Sequence, residues 1–299
     1  MKKAMKWVLL IFVIGAITTI IWILRGYLQQ KWMEVPSESL KNKDFLVIAH
    51  RGASGYAPEN TLASIRKGLE MKADMVEIDI HLSKDGEVMV IHDATLERTT
   101  NGTGKVQSQI VEELKKLDAG TWFSKDFSEE KIPTLQEVID LVDGQATLLI
   151  ELKNESKTGF YEGLVEKTLQ IIDENNAKSW CILQAFDSKY LQEITDSKRN
   201  FDKNFEFHKL IMDDFSPLPL YIDTKTKLGY LDKSIGFKAI NSYFILLNEE
   251  KVKKVQSEGF KVFTYTVNEE ADMRRIISFG VNGIITNYPD RAIELREND

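Results

Sequence analysis

The sequence contains one cysteine, Cys181, so no intramolecular disulfide can staple the chain. Its setting in Trp180-Cys-Ile-Leu183 suits a buried, inert thiol rather than a nucleophile. There is no internal repeat and no low-complexity tract, which removes solenoids and disordered polar chains. No long Lys/Arg cluster follows the first 28 residues. Those residues hold Lys2, Lys3, Lys6 and Arg25 and no acid, so the rest of the chain is four charges more negative than the total of −7. A nonspecific nucleic-acid partner, which needs a basic surface, is thereby excluded, whereas a small local phosphate site is not. The 43% hydrophobic and 28% charged fractions are those of an ordinary globular protein, arguing against disorder and against a polytopic membrane protein.

One long uncharged apolar run is present, Trp7 to Leu24, 18 positions, about the minimum that crosses a bilayer as a helix. Ile-Trp-Ile-Leu24 leads straight into Arg25 and Gly26 without a small-residue cleavage site, so an uncleaved anchor is expected over residues 1–28. Three lysines precede it and only Arg25 and Lys31 closely follow. The positive-inside rule then puts the amino terminus in the cytoplasm and the rest of the chain outside the cell. Residues 29–44, polar and containing Pro36-Ser-Glu-Ser39, read as a linker to one domain over 45–299.

Within that domain short apolar runs alternate with amphipathic stretches, the signature of parallel strands joined by helices, and the length suits a (β/α)8 barrel. The expected strands are Phe45–Ala49, Met75–Ile80, Thr147–Leu152, Cys181–Ala185, Phe207–Met212, Ala239–Ile240, Val262–Val267 and Gly283–Thr286. The expected helices include Thr61–Met71 with Asn60 as its cap, Tyr161–Glu174, Glu249–Ser257 and Glu269–Phe279. Residues 82–133 break the alternation with a Lys84-Asp-Gly86 turn, the short strand Val88–Ile91 and a polar Thr/Gly loop. They read as an insertion after the second strand, leaving from the barrel end where active sites of this fold are built.

The first strand ends in His50-Arg51-Gly52, a proton-transfer group and a fixed cation at the barrel mouth. Glu77 and Asp79, two apart on the second strand, share a face, and Glu151 and Lys153 do so at the end of the next barrel strand. Buried carboxylates need a partner: either a hard divalent cation takes them as oxygen ligands, or they form an ion-pair cluster with Arg51 and Lys153. His92 enters from the insertion. Two histidines can divide the removal and donation of protons at phosphorus, and Arg51 can offer a fork to phosphate oxygens. His81 and His208 read as structural; Trp122 and Phe123 could form an apolar rim or pack within the insertion.

The runs His50-Arg-Gly-Ala53, Ala57-Pro-Glu-Asn-Thr61, Glu77-Ile-Asp79, Lys84-Asp-Gly86, His92-Asp93 and Leu96 with Arg98-Thr-Thr-Asn-Gly102 together resemble the glycerophosphodiester phosphodiesterase family. Ile132-Pro-Thr-Leu135, Glu151-Leu-Lys153, Gln184-Ala-Phe186, Tyr265-Thr-Val-Asn268 and Gly283 to Asp290 continue the resemblance in order. It implies a TIM barrel with a small insertion, a Mg2+ or Ca2+ ion on Glu77, Asp79 and Glu151, and acid/base catalysis by His50 and His92. It also implies Arg51 and Lys153 at the phosphate, Glu59 in support, and Gln184 and Tyr265 at the site. Tyr265 stands where the family usually has Trp, and residues 198–238 follow the pattern poorly. The activity implied is hydrolysis of glycerophosphodiesters to glycerol 3-phosphate and an alcohol. Alternatives are the same chemistry on a lysophospholipid or an envelope glycerophosphate polymer, or a catalytically idle binding or scaffold module.

Overall fold

The computed structural model describes residues 44–155, 159–197, 201–202, 205–211 and 238–298. The expected membrane anchor and the linker up to residue 43 lie outside these, as do Met212 and most of 198–238. Among the described residues no helix is long and apolar enough to cross a membrane.

Eight parallel strands form the frame: β1 (Leu46–Ala49), β2 (Met75–Leu82), β4 (Thr147–Leu152), β5 (Cys181–Ala185), β6 (Phe207–Ile211), β7 (Ala239–Tyr243), β8 (Lys261–Tyr265) and β9 (Gly283–Thr286). β1 pairs with both β2 and β9, so the sheet closes on itself as a (β/α)8 barrel. A ninth strand, β3 (Val88–Val90), runs antiparallel along the end of β2. The helices are α1 (Leu62–Glu70), α2 (Val111–Leu114), α3 (Leu135–Val142), α4 (Leu164–Glu174), α5 (Ser188–Ser197), α6 (Glu249–Ser257), α7 (Glu270–Ser278) and α8 (Pro289–Asn298).

Strand periodicity builds the barrel in two faces. Val76, Ile78 and Ile80 of β2 and Leu148, Ile150 and Leu152 of β4 point outward and are buried under α3 and α4 by Leu135, Val138, Leu164 and Ile172. The alternate positions point inward: Ile48, Met75, Leu149, Ala239, Phe263 and Ile285 fill the barrel's lower interior as one apolar layer. Two residues further along the same strands come His50, Glu77, Glu151, Asn241, Tyr265 and Asn287. The period of two thus stands a polar layer directly on an apolar floor, at the carboxyl ends of the strands.

The insertion carries its own small core of Met89, Ile91, Leu96, Val106, Leu114, Ala119 and Ile132. It is tied to the barrel where Ile91 N–H donates to the Asp79 carbonyl at 3.0 Å, which sets His92 beside the strand-end carboxylates. Trp122 and Phe123 lie edge to face on its surface, and both are exposed.

Asn60 is not the cap of the first helix. Thr61 caps α1, its hydroxyl accepting from Ser64 N–H in a capping box, and Asn60 is turned into the barrel mouth with 3% exposure. The reason is local: Asn60 takes φ 56° rather than the extended backbone of a cap, and its side-chain amide is engaged by Asp79. Nearby Gly52, at φ 77°, lets α1 approach so closely that a Cβ there would meet the Ser64 carbonyl carbon at 2.4 Å. Other elements differ at their ends, β8 stopping at Tyr265 and α4 starting at Leu164.

Candidate active site

Glu77, Asp79 and Glu151 are buried, and one carboxylate oxygen from each lies within 4.8 Å of the others. Glu77 Oε2 accepts the Arg51 backbone N–H at 2.9 Å and Oε1 accepts Gln184 Nε2 at 3.3 Å. Gln184 Oε1 in turn accepts Asn241 Nδ2. Asp79 Oδ2 accepts Asn60 Nδ2 at 2.8 Å, and the Asp79 backbone N–H donates to Asn60 Oδ1 at 3.1 Å. Arg51, at φ 55°, brings Nε to 3.3 Å from Asp79 and donates from Nη1 to Glu59 at 2.7 Å. Lys153 Nζ lies 2.7 Å from Glu151 and 3.4 Å from Asp79.

The ion-pair cluster anticipated as an alternative therefore exists, yet it does not balance the charge. Burial would raise the Asp79 carboxyl, but Lys153 and Arg51 outweigh it and hold Asp79 ionised well below the usual carboxylate range. Glu77 is pushed well above that range by burial and by the charges of Asp79 and Glu151, and burial also raises Glu151. Arg51 is shared with Glu59, so Lys153 and Arg51 do not offset all three carboxylates, and the raised pKa of Glu77 lets a proton make up part of the difference. An all-oxygen donor set in a buried site, one of whose carboxyls holds its proton to unusually high pH, fits a hard divalent cation that would take the proton's place.

The two histidines flank this cluster. His50 Nδ1 donates to Asn287 Oδ1 at 2.7 Å, leaving the Nε2 lone pair free. Burial, then the Arg51 charge, pulls its pKa down to about 3. His92 Nδ1 donates to Asp93 Oδ1 at 2.6 Å, and Asp93 and Glu59 are joined by Arg98. Burial lowers the His92 pKa against the opposing charge of Asp79.

All ten expected residues gather at the barrel mouth. Tyr265 does so as part of an aromatic wall, 6.2 Å between ring centroids from both Phe186 and Tyr243. His208 lies apart, stacked on Phe263 in the barrel interior and bonded to Glu206. His81 faces away from the cluster, as expected, but it is not unconnected. Nδ1 meets the Tyr161 hydroxyl at 2.9 Å and Nε2 donates to the His92 carbonyl at 3.0 Å. Asn60, Asp93, Arg98, Asn241 and Asn287 have no site role in the sequence reading, although all but Asn241 lie within the motif runs.

Residues 50–291 match the model of the glycerophosphoryl diester phosphodiesterase family. The chain is 34% identical over 266 residues to a glycerophosphodiester phosphodiesterase of Bacillus subtilis, covering 82% of this chain and 84% of that one. It is 36% identical over 250 residues to one from Caldanaerobacter subterraneus, covering 84% and 97%. Among solved structures it superposes with a TM-score of 0.69 and 29% identity, over 84% of this chain and 96% of the other, on an Oleispira antarctica phosphodiesterase in complex with the product sn-glycerol-3-phosphate. Family model, relatives and barrel agree, and the chain belongs to the glycerophosphoryl diester phosphodiesterase family.

Proposed function

We propose that this protein hydrolyses glycerophosphodiesters to glycerol 3-phosphate and an alcohol, with a divalent cation on Glu77, Asp79 and Glu151. The observation that carries the reading is the juxtaposition of an under-neutralised carboxylate triad with two histidines, each with Nδ1 already committed. The bound cation would supply charge neutralisation at the phosphate oxygens. Arg51 and Lys153 add positive charge at the same place. His50, neutral across the ordinary pH range, takes the proton of the glycerol 2-hydroxyl at Nε2. That oxygen attacks phosphorus, and its tether to the phosphate gives it an effective concentration no free water matches. His92, whose imidazolium is stabilised by Asp93, donates a proton to the departing alkoxide. Water then opens the cyclic glycerol phosphate with the two histidines in reversed roles. No Ser or Cys stands among these residues, consistent with a nucleophile supplied by the substrate.

The basic flank and apolar run of residues 1–28 support a further part of the reading: a single membrane anchor with the barrel outside the cell. The experiment is cleavage of matched 2-hydroxy and 2-deoxy glycerophosphodiesters at saturating metal. The 2-hydroxy compound should yield glycerol 3-phosphate and the 2-deoxy compound should bind and resist cleavage. Equal rates would mean direct attack by water and remove the cyclic intermediate.

A further inference from the structure

The proposed chemistry makes no use of Arg98, yet its guanidinium donates four hydrogen bonds at the rim of the site. Nε reaches Asp93 Oδ2 at 2.6 Å, and Nη2 reaches both Asp93 Oδ1 at 3.0 Å and Glu59 Oε1 at 2.7 Å. Nη1 reaches Glu59 Oε2 at 2.8 Å. The two carboxylates come from different parts of the fold. Glu59 belongs to the turn between β1 and α1 and is locked to the barrel by Arg51. Asp93 follows β3 and holds the His92 ring. We propose that Arg98 is a positioning residue that ties Asp93 to Glu59, fixing the His92 imidazole of the insertion against the barrel with its Nε2 toward the carboxylate cluster.

Three observations support this. His81 fixes the His92 backbone through its carbonyl but cannot set the rotation of the ring, which is left to Asp93. Without a cation between them Asp93 and Glu59 would repel. Burial would raise the Asp93 carboxyl, but Arg98 and His92 outweigh it and hold it at about 2. Finally, an exposed ion pair usually contributes little because ordering two long side chains offsets the attraction. Arg98 is 44% exposed in its side chain, but one ordered guanidinium serves two carboxylates through paired N–H groups. The planar fork permits that; the single point charge of lysine does not.

The inference rests on His92 carrying a proton in the reaction, and the test separates the two claims. Full-length wild type, Arg98→Ala, Arg98→Lys, His92→Ala and the double variant His92→Ala/Arg98→Ala are compared on glycerophosphocholine at saturating metal. Arg98→Ala should lower kcat on the order of 10- to 100-fold, the range orienting partners command, and leave KM within about twofold. Arg98→Lys should recover little of it, and added guanidinium should restore part of the rate to Arg98→Ala. In the His92→Ala background, removing Arg98 should cost less than about threefold, because it acts through the missing ring. An equal loss in both backgrounds, or a raised KM with kcat unchanged, would overturn the inference, and so would an undiminished rate in Arg98→Ala beside an impaired His92→Ala. A fully active His92→Ala would instead remove the role of His92 itself and the inference with it. Should Arg98→Ala fail to fold, Arg98→Lys and its His92→Ala double carry the same comparison.

Discussion

Replacing Asn60 by Ala tests the link between the barrel mouth and its charged cluster without touching a proposed ligand or proton carrier. Asn60 is 3% exposed and Asp79 1% exposed, so water cannot replace what is lost. The change removes a hydrogen bond to a buried carboxylate at 2.8 Å, worth about 1.5–3 kcal/mol, and one from a backbone amide at 3.1 Å, worth about 1 kcal/mol. Asn60 also sits at φ 56°, a left-handed conformation that Asn tolerates and where Ala adds about 1 kcal/mol. The expected loss is roughly 3–5 kcal/mol, read from urea unfolding of the metal-free protein by circular dichroism with unchanged slope. Asn60→Gly relieves the backbone and should recover about 1 kcal/mol of it, leaving the hydrogen-bond part. Asn60→Asp, which sets a second carboxylate against Asp79, should be the worst of the three at neutral pH and improve in acid. If Asn60→Ala unfolded within about 0.5 kcal/mol of wild type, Asn60 would be no more than a loop residue beside a helix cap.

Without a cation, Glu77 keeps its proton above the ordinary carboxylate range because of burial and the charges of Asp79 and Glu151. Metal must displace that proton, so calorimetric affinity should rise with pH and binding should release protons. In the metal-free protein the same raised pKa stabilises the fold at low pH and the contribution is lost as pH rises through it. Affinity independent of pH would refute the assignment, and Glu77→Gln should bind weakly with the pH dependence reduced. His50→Ala and His92→Ala should each lower kcat on the order of 10² to 10⁴, with His208→Ala as the folded control. His81→Ala is not a control, since it frees the His92 carbonyl; a rate loss in His208→Ala equal to that of His50→Ala would count against the pair. Protease added to intact cells should digest the barrel, and protection until the membrane is opened would reverse the proposed topology.

The barrel and most of the candidate site were legible because both depend on a period of two. Glu77 and Asp79 sit two apart, as do Glu151 and Lys153, and the apolar residues between them face the helices whatever their partners. Residues whose role depends on a distant partner were not legible. A polar residue before a helix reads as a cap, and only the Asp79 side chain, 19 positions on, makes Asn60 part of the site. Arg98 lies in a polar loop and meets Glu59 across 39 positions; Asn287 meets His50 across 237. His81 shows the same limit from the other side. Its strand position told which way it faces, but not that the insertion would lay the His92 carbonyl upon it.

The most direct test of the central claim follows glycerophosphocholine by phosphorus NMR with chelated enzyme, then after Mg2+ or Ca2+ is restored. The account predicts an unchanged substrate signal under chelation and, on adding metal, appearance of glycerol 3-phosphate in the wild type with little in Glu77→Gln, Asp79→Asn or Glu151→Gln. Undiminished turnover by the chelated enzyme would contradict it and leave the buried carboxylates as an ion-pair cluster only.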